Sequence, residues 1–122
     1  METQFNAKYS NALDEMHNLI EENVNGKMLV FYSAYIIDDN ELPVNNLNEV
    51  AIVGSGRFVA EYNDFYADEG TDYISDLITN PTWLDVAILA NDMIKTTGDN
   101  THIYLEAVHD MNDGTFTFCM GS

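Results

Sequence analysis

The sequence contains few positive charges, one cysteine and little proline. Only four Lys and Arg stand against 21 Asp and Glu, which gives a formal net charge of −17. A chain with this charge repels DNA, RNA and anionic lipid, so we expect no direct contact with nucleic acid or membrane. The acids recur from Glu2 to Asp113. A disordered acidic tail therefore does not explain them.

Other absences point to a cytoplasmic protein. The single cysteine, Cys119, excludes an internal disulfide. No apolar run reaches the roughly 18 residues that indicate a transmembrane helix, and the polar N-terminus lacks the apolar region of a secretory signal. A length of 122 residues predicts a single domain, 1–122, that is large enough to bury its own core.

The spacing of apolar residues predicts a helix over 2–24 and another after Pro81. The second helix has the clearer boundaries, because Thr82 and Asp85 form a capping box at its start and Gly98 ends it. Its apolar stripe, which we expect to be buried against a sheet, consists of Trp83, Val86, Ala90, Met93 and Ile94.

Four segments have the composition or the alternation of strands. Residues 27–37 and 49–53 are rich in β-branched or aromatic side chains. Residues 102–108 and 114–120 alternate around an Asp-Gly turn, which predicts an antiparallel C-terminal hairpin. The sequence therefore predicts an α+β fold, with a small, mostly antiparallel sheet of about four strands packed with three to four helices.

Residues 57–79 fit either a strand or a helix. Alternating apolar residues after the glycines favour a hairpin, whereas apolar residues at three- to four-residue spacing favour a helix that Gly70 interrupts. Asn63 and the many acids are poor strand formers, so we predict a helix here.

The turn Gly54-Ser55-Gly56, with Ala60 four positions later, is similar to the glycine-rich turn that holds phosphate in dinucleotide-binding proteins. Such a site also needs a second parallel strand, and Arg57 is the only nearby cation. We therefore predict that the glycines only turn the chain. A pocket for a small ligand or an enzymatic reaction at Gly54–Gly56 is the alternative.

The residues that commonly bind metals or carry out catalysis are scattered. His17, His102, His109 and Cys119 lack the spacing of zinc ligands, and residues 110–114 lack the ligand pattern of a calcium loop. No nucleophile or carboxylate pair stands out. The sequence thus predicts no metal, no cofactor and no catalytic residue, which means a protein that is not an enzyme.

Five acids recur at intervals of three or four residues: Glu61, Asp64, Asp68, Asp72 and Asp76. On a helix they would form one stripe, and a rise of ~6 Å per four residues approaches the roughly 7 Å between neighbouring phosphates of a DNA strand. Asp85 and Asp92 would add a second row on the next helix. An ordinary solvated helix face is the alternative explanation, although like charges at this spacing lower stability.

These observations favour a non-enzymatic acidic protein that binds a basic site on a partner protein. The most specific version of this hypothesis is a nucleic-acid mimic that inhibits a DNA- or RNA-binding protein. Small acidic inhibitors from phages and mobile elements, including those that counter host defence, act in this way. The alternative is a regulatory or structural interaction domain that uses an apolar surface, with charge for solubility only. The oligomeric state stays open, a dimer included.

Overall fold

The computed structural model describes residues 2–41, 43–44 and 46–122. The elements in chain order are α1 (Glu2–Asn23), β1 (Phe31–Tyr32), β2 (Ile36–Ile37), β3 (Pro43–Val44), β4 (Ser55–Ala60), β5 (Tyr73–Ile74), β6 (Ile78–Thr79), α2 (Trp83–Thr97), β7 (Tyr104–Asp110) and β8 (Thr115–Gly121).

The main sheet has the strand order β1-β7-β8-β4-β5, and β6 pairs with β4 beside β5. The pairs β1–β7 and β4–β8 are parallel, and the other pairs are antiparallel. Strands β2 and β3 form a separate antiparallel ladder. The mixture of helix and sheet agrees with the prediction. Within the described residues, however, two helices and a six-stranded main sheet replace the expected three to four helices and four strands.

The C-terminal hairpin is confirmed. Strands β7 and β8 pair antiparallel from Tyr104 opposite Gly121 to Asp110 opposite Phe116. The register shifts between Leu105 and Ala107. A bulge of this kind bends the strand and re-aims the side chains beyond it.

Helix α2 is the central element of the core. Val86, Ala90, Met93 and Ile94 are buried as predicted, whereas Trp83 is only partly buried. The predicted capping box is present, and Gly98 ends the helix in the left-handed conformation with φ 75°. The apolar stripe therefore packs in the register that the sequence predicts.

Aromatic rings fill the space between the sheet and the helices. Phe58 on β4 is fully buried, stacks on Phe118 at a centroid distance of 4.7 Å and meets Phe116 edge-on at 5.3 Å. The buried amide of Asn91 on α2 accepts a hydrogen bond from the Val30 N–H at 3.0 Å. This bond joins the segment before β1 to α2.

Two predictions about the middle of the chain are wrong. Residues 49–53 do not form a strand, because their pairing is limited to one isolated antiparallel bridge, Val50 opposite Thr82. Its two bonds run from Ala51 N–H to Pro81 O at 2.8 Å and from Trp83 N–H to Glu49 O at 3.0 Å. Residues 57–79 are not a helix, because they form the end of β4, a loop, β5 and β6. The predicted strand over 27–37 is reduced to the short strands β1 and β2.

Candidate functional site

Residues 61–72, between β4 and β5, form an irregular loop with its own hydrogen bonds. The Asn63 side-chain oxygen accepts a bond from Phe65 N–H at 2.9 Å, and the Tyr62 hydroxyl donates to Ala67 O at 2.7 Å. Such bonds between side chains and backbone compete with the hydrogen-bond ladder of a helix. They provide a physical reason why the predicted helical stripe of acids does not form.

The loop is fixed to the C-terminal end of α2 by Gly70. The adjacent Thr71 N–H donates to Thr96 O at 2.9 Å. A Cβ atom at Gly70 would lie 2.2 Å from the Thr97 carbonyl oxygen, so the backbone approaches too closely for any other residue. The glycine that the sequence analysis treats as a break in a helix is in fact a packing contact.

The structure separates the seven predicted partner-binding acids into three groups. Asp72 accepts a bond from Tyr62 N–H at 2.8 Å, and Asp85 accepts one from Thr82 N–H at 3.0 Å, so both carboxylates serve the fold. Asp92 is partly buried. The other four are exposed and make no side-chain hydrogen bond or ion pair with any residue that the structure describes: Glu61, Asp64, Asp68 and Asp76.

The described cations leave these carboxylates un-neutralised. The Arg57 guanidinium donates to Ser75 O at 3.0 Å, and the Lys95 ammonium group donates to the backbone oxygen of Asn25. Over the parts of the chain that the structure covers, the one contact between a basic and an acidic side chain joins His102 to Asp99, at 2.8 Å. Negative charge therefore dominates the exposed surface.

Large apolar side chains are exposed among the same acids. Phe65 is 84% exposed, Ile74 67% and Leu77 62%, and Tyr66 is also exposed. We call residues 61–77 the acidic–apolar segment. Phe65 and Tyr66 meet edge-on with ring centroids 5.1 Å apart, and exposed aromatic rings that lie together are typical of protein interaction sites.

Two cavities open along this segment. A cavity of 540 Å³ is lined by Val59, Ala60, Glu61, Asp72, Tyr73, Ile74 and Thr117. A cavity of 350 Å³ is lined by Tyr73, Ile74, Ser75, Asp76, Leu77, Ile78, Leu89 and Asp92.

The second cavity brings together two predicted site residues, Asp76 and Asp92, from different elements. Burial, followed by the charges of Asp92 and Asp76, raises the pKa of Tyr73 to about 12. Both carboxylates therefore act electrostatically on the same phenol.

A third cavity, of 360 Å³, contains a histidine–aspartate pair that the sequence analysis does not identify. The His102 Nδ1 atom lies 2.8 Å from one carboxylate oxygen of Asp99. The other carboxylate oxygen of Asp99 accepts a hydrogen bond from the Thr101 hydroxyl at 2.6 Å. Burial acts to raise the pKa of Asp99, but the hydrogen bonds from Thr101 and His102 outweigh it and lower that pKa. The spacing Asp-x-x-His directly after Gly98 is the sequence signal for this pair.

The remaining histidines and the cysteine lie apart from this pair. The Nε2 atom of His17 accepts a bond from Tyr32 N–H at 3.1 Å, and burial lowers the pKa of His17. His109 is exposed, and Cys119 is a partly buried free thiol. Among the residues described, no group of three or more His, Cys, Asp or Glu side chains is arranged to hold a metal ion.

The glycine turn leads into strand β4. The dinucleotide fingerprint requires a helix directly after the glycines, and its third small residue falls at the position of Val59 here. A Cβ atom at Gly56 would lie 2.9 Å from the ring of Phe116. Gly56 therefore allows β4 to pack beneath that ring, and Gly54, with φ 121°, allows the turn before it.

Comparison with known proteins gives no relative from which a function could be transferred. No protein-family model, curated protein or solved structure matches this chain. Neither helix in the described portion combines the length and the apolar character that a membrane-crossing helix needs.

Proposed function

We propose that this chain is a non-enzymatic, cytoplasmic binding protein that engages a basic site on a partner protein through the acidic–apolar segment. The observation that carries the proposal is that Glu61, Asp64, Asp68 and Asp76 are exposed and un-neutralised in the same segment as the exposed ring of Phe65. A basic partner would supply the charge that the fold does not provide.

The two kinds of side chain would contribute differently to such a complex. The carboxylates would steer a basic partner towards the segment, and this contribution weakens with salt. An aromatic ring such as Phe65 would act as an anchor, because aromatic side chains that become buried contribute much of the affinity of protein interfaces. Affinity should therefore fall with salt but not vanish.

A nucleic-acid mimic is a narrower version of this proposal. It no longer draws support from a helical repeat of charges, since residues 61–76 do not form a helix. It rests on the net charge of −17 alone. Displacement of the captured partner by duplex DNA in a competition assay is the specific test of this version.

The test of the general proposal is affinity capture from a host lysate, followed by titration of each captured protein after purification. The test variant carries Glu61→Gln, Asp64→Asn, Asp68→Asn and Asp76→Asn. A matched control carries the same number of neutralisations at exposed acids outside the segment: Glu15→Gln, Glu22→Gln, Asp39→Asn and Glu49→Gln.

The proposal expects a basic partner that binds the native chain and the control alike, and binds the test variant at least about tenfold more weakly with a flatter salt dependence. Equal binding of the test variant and the control would contradict it. A partner that loses affinity on Phe65→Ala but not in the test variant would instead favour the apolar-surface alternative.

A further inference from the structure

Residues 73–79 form an open edge of the main sheet. Strands β5 and β6 both pair with β4, and among the described residues the strand order ends there. The Ser75 N–H donates to Phe58 O at 2.9 Å, towards β4. Since neighbouring residues of an antiparallel strand alternate in direction, the backbone groups of Ile74 point away from β4. They are free to pair with an added strand.

The side chains along this edge protect it only in part. Natural edge strands are commonly protected by charged side chains, above all Lys, or by Pro, and the sequence YISDLIT at 73–79 contains one charge, Asp76, and no Lys or Pro. Ile74 and Leu77 are 67% and 62% exposed. Between the pairings Val59–Ile74 and Gly56–Ile78, the edge strand has one residue more than β4. This irregularity lies at Ser75–Leu77 and limits continuous pairing to short stretches.

A groove runs between the edge and α2. It is the 350 Å³ cavity, and Ile78 and Leu89 give it apolar walls while Asp76 and Asp92 add carboxylates. Exposed aliphatic side chains and negative charge therefore lie together over one short stretch.

We propose that this edge binds an extended segment of a partner protein in which Lys or Arg alternates with apolar residues. Its apolar side chains contact Ile74 and Leu77, and its cations approach Asp76 and Asp92. The inference rests on the proposed function and adds the mode of docking, which is strand addition. A second copy of this chain is a poorer match, because its edge carries the same negative charge.

The test uses NMR titration of the isotope-labelled protein with two short synthetic peptides of equal length and charge. In one peptide Lys alternates with Val, and in the other Lys alternates with Ser. We expect the Lys–Val peptide to shift the amide signals of residues 73–79 and to bind at least about tenfold more tightly than the Lys–Ser peptide.

The test variant is Ile74→Ser with Leu77→Ser. Both side chains are exposed, so the fold should persist, and the amide spectrum reports whether it does. This variant should lose about tenfold in affinity for the Lys–Val peptide and little for the Lys–Ser peptide. The control is Val53→Ser, since Val53 is 83% exposed and lies outside the edge. The control should bind like the native chain.

Equal affinity for both peptides, or shifts spread over all acidic regions, would overturn the docking mode. Measurements with the partner captured in the lysate experiment distinguish a failure of this docking mode from a failure of the proposed function. A partner sensitive to neutralisation of Glu61, Asp64, Asp68 and Asp76 but insensitive to Ile74→Ser with Leu77→Ser leaves the proposed function standing and removes strand addition at this edge.

Discussion

Helix α2 and the acidic–apolar segment lie next to each other and contact at Gly70, yet they use their carboxylates in opposite ways. Asp85 on α2 accepts a hydrogen bond from Thr82 N–H at 3.0 Å and so caps its own helix. In the segment, four of the predicted partner-binding carboxylates make no bond with the described residues, and the ring of Phe65 in the same segment is 84% exposed. Asp85 therefore serves the fold, whereas most carboxylates of the segment stay accessible.

The difference follows from what each region can bury. Val86, Ala90 and Ile94 place a continuous apolar stripe in the core, and burial of such a face is what stabilises most helices in proteins. The segment buries Tyr73 but leaves Ile74 and Leu77 exposed. It is held instead by backbone contacts to α2 and by local side-chain bonds. A surface held in this way can present apolar groups to a partner without dismantling the core.

Among the changes that test this difference between α2 and the segment, Gly70→Ala should have the largest effect on stability. An added methyl group would lie 2.2 Å from the Thr97 carbonyl oxygen. Relief of the clash requires the segment to move off α2, and we expect the free energy of unfolding to fall by about 3 kcal/mol. Urea denaturation measures this. Asp68→Ala, in the same loop, is the control, and an equal loss in both variants would show that the contact at Gly70 is unimportant.

Removal of the helix cap is the next test. Asp85→Ala removes one half of the capping box, and we expect a loss of about 1 kcal/mol in the free energy of unfolding. Asp92→Ala, on the same helix but away from the cap, should change it by less than about 0.5 kcal/mol. Equal losses would mean that the carboxylates of α2 do not differ in role.

The same contrast explains which parts of the fold follow from sequence. The boundaries of α2 are predictable because Thr82, Asp85 and Gly98 act within one turn of the helix ends. The C-terminal hairpin is predictable because its strands are joined by a short turn that contains Asp113 and Gly114. In both cases the residues that decide the structure are close together in the chain.

The prediction of a helix over the segment is wrong because contacts distant in sequence act together with the local side-chain bonds of Tyr62 and Asn63. Gly70 lies against Thr97, and the Phe58 N–H donates to the Ser75 hydroxyl at 2.8 Å. Neither contact leaves a periodic trace in the sequence, and the local spacing of apolar residues fits both a strand and a helix there. The exposure of the five acids was predictable from their charge, whereas their division into structural and free groups required the structure.

A smaller effect concerns pH. Asp99 follows the C-cap of α2, and its pKa lies below the ordinary value of 3.8. The unfolded chain therefore takes up the proton first, so the stability contributed by the charged carboxylate is present above pH 3.8 and is lost as the pH falls through the folded pKa. Compared with Asp99→Asn, the native chain should be more stable at neutral pH, and this difference should shrink below pH 3.8.

Denaturation of both proteins across this pH range measures the difference. Thr101→Ala, which removes a hydrogen-bond donor to the same carboxylate, should reproduce part of the effect. A difference that stays constant with pH would show that Asp99 contributes through packing and not through its charge.

Neutralising the four free carboxylates should have the smallest effect on the free energy of unfolding. Unlike the other changes, it should not lower that free energy. Glu61→Gln, Asp64→Asn, Asp68→Asn and Asp76→Asn together remove four of the 21 acids without removing a bond to any described residue. Because a net charge of −17 disfavours the compact state, we expect the free energy of unfolding to stay the same or rise, by no more than about 0.5 kcal/mol. The gain should vanish at high salt, where repulsion is screened. Urea denaturation at low and high salt tests both points, and a stability loss comparable to that of Asp85→Ala would show that these acids support the fold and are not reserved for a partner.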